Sequence, residues 1–393
     1  MFPRTPEELR DALAGAAAAG KRIELTGGNS KRLMGGTAVP ADVWINTGGL
    51  RQILNYEPRD LTISVEAGMP FAALNAELAK NGQMIPLDGP YSDTATVGGM
   101  IGANISGARR RLYGTARDLV IGMKFATMDG NLVDSGGMVV KNVAGLDMAK
   151  LMIGSFGTLA AVASVNFKLT PIPKTTRTLL FTFGDLAAAI EARTAFLRGV
   201  LAPVAVDLLN PILSGQLAMQ YPDWLDARGF TLAVSFAGNE AVMERCVREA
   251  GAAGPHRVLT GADEQNFWSA MSALTPRFLE EFADGAVVRL STTLADCGSA
   301  LASMDGPGLA HAATGVVRGW FNSAEAAARC LTAAQAKGWK PLVEFSSGAA
   351  RTSLPLWPGA IAQPSGDFSI MKGIKKMFDP GNLLNRGRLY GQI

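Results

Sequence analysis

Two glycine-rich loops constrain this chain more than any other feature of its sequence. The first, Thr26-Gly27-Gly28-Asn29-Ser30-Lys31, follows directly on the short alternating strand Arg22-Ile23-Glu24-Leu25. Small residues at that place let successive backbone N–H groups converge on an anion as a nest. The second, residues 94–107 (TATVGGMIGANISG), sets glycines 98, 99, 102 and 107 among small residues, so backbone can approach a ligand that side chains would block. Thr96, Asn104 and Ser106 add donors. Either loop alone is an ordinary turn-rich connection; the pair could clamp a pyrophosphate with uncharged dipoles. Other nucleotide motifs are missing or spurious. No GxGxxG occurs, so a Rossmann site has no support. Residues 15–21 spell GxxxxGK, but Arg22 stands where Ser or Thr would hold magnesium, and the glycines flank an alanine-rich helix, so chance explains the match.

The elements around these loops are legible from periodicity. Thr5 can cap a helix, Pro6 suits its first turn, and Leu9, Leu13 and Ala16 share one face before Gly20 closes it. Strands are expected at 43–46, 61–68, 119–127, 132–133 and 159–169, with a helix over 71–81 stopped by Gly82. Residues 86–107 read as extended, and Asp129-Gly130 between apolar runs reads as a hairpin turn. Beyond about residue 175, strands at 178–183, 231–236 and 286–291 alternate with alanine-rich helices at 186–197, 241–252 and 324–337. Residues 345–364 look irregular, and a short helix over 368–377 precedes a basic tail. This pattern fits α+β architecture in more than one domain.

Composition removes several function classes. With 48% hydrophobic and 18% charged residues the chain is globular. A net charge of +3 is too small for nucleic-acid binding, and the basic run Arg109-Arg110-Arg111 reads first as a solvated helix end. Cys246, Cys297 and Cys330 are widely separated with no CxxC pair, which argues against an iron–sulfur cluster, a structural zinc or a disulfide framework. The N-terminus has no apolar h-region, and no apolar run of about 20 residues occurs. A cytoplasmic protein is expected, with docking at the inner face of the membrane left open to partners.

The order of the motifs now carries a resemblance. The GGNSK loop, Ala67-Gly68-Met69, Asp88-Gly89-Pro90, ATVGGMIGANISG, Tyr113-Gly114-Thr115-Ala116-Arg117-Asp118, Asp129-Gly130 and Gly154-Ser155-Phe156-Gly157-Thr158-Leu159 resemble, in that order, the PCMH-type FAD-binding domain of the vanillyl-alcohol-oxidase superfamily. The tail Phe378-Asp379-Pro380-Gly381-Asn382-Leu383-Leu384-Asn385-Arg386-Gly387-Arg388-Leu389 is similar to endings in the same superfamily. Within it, Ser106-Gly107-Ala108-Arg109-Arg110 and Val139-Val140-Lys141-Asn142-Val143-Ala144-Gly145-Leu146-Asp147 resemble the FAD-binding E-type subunits of glycolate oxidase (dehydrogenase) complexes.

The resemblance implies a PCMH-type FAD-binding domain of two α/β subdomains over residues 1–174, an α+β cap domain over 175–345, and a segment, 346–393, returning to the first domain. It implies FAD held by Thr26, Gly27, Gly28, Asn29, Ser30 and Lys31 on one side of the pyrophosphate. Thr96, Gly98 and Gly99 are expected on the other side, Asp88, Thr94 and Val97 also at the cofactor, and Asn104 and Gly107 by the flavin. Backbone near Val162 would read the adenine, and Asn385 and Arg388 would fold back towards the isoalloxazine. Lys141 and Asn142 would lie near the flavin or a partner, or would cap a turn.

Departures from the family pattern matter as much. Asn29 stands where relatives tether FAD through histidine, so the flavin is expected to be non-covalent. The chain has only His256 and His311, with no HxH motif of the kind that serves hydroxy-acid oxidation in related catalytic subunits. No catalytic residue is therefore assigned. Should a carboxylate bind, Arg109, Arg110 and Arg318 are the candidates, because guanidinium groups grip carboxylates bidentately. The expected role is that of an electron-relay or assembly component in glycolate oxidation to glyoxylate. Its partners would be a second flavin subunit and an iron–sulfur subunit. A self-sufficient FAD-dependent dehydrogenase of another small hydroxy acid, or a scaffold whose FAD site has decayed, remains open.

Overall fold

The computed structural model describes residues 1–138, 146–225, 229–357 and 366–393. The chain forms two compact units. One comprises Met1–Ser106, Gly114–Ile172 and Gly359–Ile393; the other comprises Gly107–Tyr113 and Pro173–Pro358. The architecture is α+β, as expected.

In the first unit the helix Pro6–Ala18 forms as its sequence dictates. The Thr5 side chain accepts the N–H of Glu8, and Leu9, Leu13 and Ala16 are buried. They pack with Ile23 and Ile45 of a two-stranded parallel sheet (Ile23–Thr26 beside Val43–Asn46) and with Ala126, Ala161 and Ala163 of a larger sheet. Each fully buried leucine there is worth roughly 2 kcal/mol. The larger sheet is antiparallel, in the order Ile53–Glu57, Thr62–Glu66, Ala161–Lys168, Val120–Ala126, Leu132–Gly136. The expected hairpin is present, with Gly130 at φ +84° between its strands.

The C-terminal residues complete this unit. Ile23 donates its N–H to Leu383 and accepts that of Asn385, so the tail lies along the strand Ile23–Thr26. Lys375 clasps the approach: its buried ammonium meets Asp379 Oδ2 at 2.7 Å and the carbonyls of Thr158 and Leu384 at 2.7 and 2.9 Å. Residues 86–107 are not wholly extended. They contain the helix Val97–Ala103, because Thr96 caps it and the carbonyls of Met69 and Ala67 take its first free N–H groups, overriding glycine's weak helix propensity.

The second unit is built on one eight-stranded antiparallel sheet. Its order is His256–Leu259, Thr175–Phe183, Phe230–Gly238, Ala205–Leu209, Gly308–His311, Val316–Phe321, Ala286–Ser291, Lys340–Ser346. Alternate residues (Leu179, Val206, Leu208, Val288, Leu290, Val317) join the helices Leu186–Arg198, Glu240–Gly251, Cys297–Ala302 and Ala324–Ala336 in one core. The strand Lys340–Ser346 and the helix Gly348–Ser353 belong to this unit, which therefore runs past the boundary expected at 345. Residues 107–113, expected with the first domain, also group with it. No helix among the described residues is long and apolar enough to cross a membrane.

Candidate cofactor and anion sites

The first glycine loop has the geometry of an anion cradle. Asn29 adopts φ +53°, a left-handed conformation that turns neighbouring N–H groups to one side. Among the described residues, the backbone N–H groups of Gly28, Asn29, Ser30 and Lys31 have no acceptor. Lys31 is the charged member. Its side chain is buried, yet among the described residues its ammonium meets only Met100 Sδ, at 3.5 Å, and burial pushes it down to about 8, with Asp93 opposing. A buried ammonium facing a thioether, beside four unpaired N–H groups, suits an anion and little else. A diphosphate fits this donor set.

The second loop comes against the first. A Cβ added to Gly28 would sit 2.9 Å from the carbonyl oxygen of Thr94, and one added to Gly27 would strike Thr96 Oγ1. The donor role expected there is narrower than the sequence suggested. The Val97 and Gly98 N–H groups are donated to Met69 and Ala67, and the Gly99 N–H to Thr96 Oγ1. Thr96, Val97, Gly98 and Gly99 thus shape the wall, while the first loop keeps its donors. Thr26 ends its strand, its carbonyl accepting Thr47 Oγ1, while Thr94 is exposed and Asp88 partly buried. Asn104 ends the helix Val97–Ala103 at φ +48°, and Val162 lies opposite Phe125 in the antiparallel sheet. Gly107 groups with the second unit.

Asn385 and Arg388 act on the loop rather than projecting from it. Asn385 Oδ1 accepts the Leu25 N–H at 2.8 Å, and its Nδ2 donates to Phe156 O at 2.8 Å. Arg388 lies over the Phe156 ring and donates to the carbonyls of Lys31, Arg32 and Gly36 at 3.2, 3.0 and 3.1 Å. These side chains hold the backbone that flanks the cradle. Lys141 and Asn142 lie outside the described residues.

The second unit carries a polar row across the sheet face opposite its helical core. His311 Nδ1 is 2.8 Å from Asp207 Oδ1, and its Nε2 is 2.6 Å from Arg318 Nη1. A guanidinium has no lone pair, so Nε2 accepts and the proton sits on Nδ1, donated to Asp207. Arg318 also grips Glu344 with both arms, at 2.6 and 3.2 Å. Burial alone would raise the Glu344 carboxyl, but Arg318, helped by Arg289, holds the group below the usual range. Arg289 pairs in register with Arg318. Arg318 is thus committed to protein partners, while Arg109 and Arg110 are exposed. Sequence reasoning missed Arg289 and Glu344. Their signal was a charge at an alternate position inside the apolar strands AVVRLS and LVEFS.

Comparisons with known proteins bear on the cofactor and the fold. Residues 1–136 match the family described as FAD binding domain. Glycolate oxidase subunit GlcE of Escherichia coli (strain K12) is 37% identical over 160 residues, 40% of this chain and 45% of that protein. The chain thus spans under half of that relative. An uncharacterised FAD-linked oxidoreductase of Mycobacterium tuberculosis is 27% identical over 99% of this chain and 90% of its own length. Among solved structures, p-cresol methylhydroxylase with substrate bound superposes with a TM-score of 0.75 at 15% identity, covering 100% of this chain and 88% of that one. The fold is the PCMH-type FAD-binding fold.

Proposed function

We propose that this chain is the FAD-binding subunit of a 2-hydroxy-acid oxidoreductase, glycolate being the leading substrate, and that it works in an assembly with a second flavin subunit and an iron–sulfur subunit. The observation that carries the reading is the cradle itself: four unpaired N–H groups and a buried ammonium on a strand-to-loop turn. The match of residues 1–136 to the FAD binding domain and the likeness to GlcE support it. FAD would supply hydride acceptance and one-electron transfer. In this chain Gly28, Asn29, Ser30 and Lys31 would bind its diphosphate, the Thr94–Thr96 backbone would close over it, and Asn385 and Arg388 would keep the loop in place. The flavin would be held without a covalent bond, Asn29 having no nucleophilic nitrogen to offer.

A relay role is favoured over independent oxidation. A general base needs a free lone pair near the substrate hydroxyl. In His311 that lone pair is taken by Arg318, and His256 is an exposed residue at the start of an edge strand, bonded to Gly254 O. Visible spectra before and after acid precipitation test FAD and its non-covalent attachment. A colourless chain that takes up no FAD would sink the proposal. Anaerobic stopped-flow mixing with glycolate tests the relay role, and rapid bleaching of the isolated chain's flavin would refute that part alone.

A further inference from the structure

The helix Leu186–Arg198 of the second unit has two unlike faces. Ala189, Ala192 and Phe196 are buried in the core of that unit. The opposite face lines an open groove of about 570 Å³, bounded by Ala187, Ile190, Glu191, Thr194, Ala195 and Arg198. Its floor permits close approach. Ala187 and Ala195 add little bulk, and the Thr194 hydroxyl is turned back onto the Ile190 carbonyl at 2.7 Å, so it needs no further partner. Side chains this small let a second helix pack with its axis about 8 Å away. Val200, just past the helix end, is 82% exposed and leaves a further apolar side chain uncovered.

The charges decide what can lie there. Glu191 and Arg198 are the exposed charged residues of this helix, and among the described residues neither has a hydrogen bond or ion pair. They stand about two turns apart on one face, beyond the spacing of about one turn at which side chains of a single helix pair. An acid towards one end of a groove and a base towards the other match the same groove reversed. Antiparallel pairing about a two-fold axis between Thr194 and Ala195 sets Glu191 of each copy opposite Arg198 of the other, with the small residues at the crossing.

We infer that this groove is filled by the same helix of a second copy of the chain. The two ion pairs fix direction and register, and the small residues let the helices meet. A partner of one sign of charge would satisfy one of the two residues and repel the other. A single helix pair lies at the small end of stable interfaces, so the dimer forms reversibly. This surface is read from the second unit alone and does not depend on FAD being bound.

The test is analytical ultracentrifugation of the full-length chain from micromolar to high micromolar concentration. Expected is a monomer–dimer equilibrium that weakens as salt is raised. Glu191→Arg and Arg198→Glu each set like charges face to face at both contacts and should weaken the dimer at least about tenfold. An equimolar mixture of the two variants should dimerise about as tightly as the parent, because each supplies the charges that the other lacks; misfolding of either could not produce that recovery. A parent that stays monomeric throughout, a dimer indifferent to either reversal, or a mixture no tighter than the separate variants would each overturn the assignment.

Discussion

Replacing Lys31 by methionine should make the cofactor-free chain more stable and the cofactor less well bound. The ordinary lysine sits at 10.5 and Lys31 is pushed down to about 8, mainly by burial. Keeping it charged at pH 7 therefore costs the FAD-free fold about 3 kcal/mol. Because the folded value lies below the unfolded one, the penalty is full below pH 8 and fades as pH climbs from 8 towards 10.5. Lys31→Met removes it, and for a domain of this size each kcal/mol moves the melting temperature by about 2–4 °C. The FAD-free variant should thus melt several degrees higher at pH 7. With FAD the sign reverses, since a desolvated ammonium–phosphate hydrogen bond is worth about 2–3 kcal/mol, or about 100-fold in Kd. Wild-type affinity should also fall about tenfold per pH unit above 8, and the Lys31→Met affinity should stay flat. Flavin-fluorescence titrations from pH 6.5 to 9.5 beside thermal scans of FAD-free protein read both effects. A variant that binds FAD like the parent and melts no higher would refute the reasoning.

Three further outcomes follow from the same geometry. Asn29→Ala places a Cβ-bearing residue without a local hydrogen-bonding side chain at φ +53°, costing about 1 kcal/mol and several-fold in FAD affinity, whereas Asn29→Gly should keep both; denaturant titration and FAD binding separate the two. Asp379→Asn leaves Lys375 buried without its carboxylate and should cost about 3–5 kcal/mol in urea unfolding, ten times what an exposed pair such as Arg245–Glu249 would show. The thiols should be inert in the native chain: burial raises Cys246, pushes Cys297 up to about 11 and Cys330 up to about 12, so a colorimetric thiol reagent at pH 7.5 should react only after denaturant is added.

Local chemistry made much of the first unit legible. Thr5, Pro6 and the Leu9–Leu13–Ala16 spacing specify a helix without help from anything distant, and Asp129-Gly130 specifies a turn. The loop 26–31 was readable as an anion site because a nest needs only consecutive small residues. What failed was the part decided by tertiary hydrogen bonds. Apart from the Thr96 cap, nothing local in TVGGMIGA marks a helix; Met69 and Ala67, earlier in the chain, supply the carbonyls that fix its first turn. The same limit hid the polar row of the second unit. Asp207, Arg289, His311, Arg318 and Glu344 become neighbours only through a strand order that no periodicity discloses. Asn385 and Arg388 were found by resemblance, but their hydrogen bonds give them the work of fasteners, because the groups they hold are backbone carbonyls and an N–H.

Fastening the cradle from residues 385 and 388 has a consequence for biosynthesis. During synthesis the glycine turn emerges well before the arginine that braces it, which stands 356 residues beyond Arg32. A chain cut short before Arg388 would grip flavin weakly, so pigment uptake reports that synthesis has passed the brace.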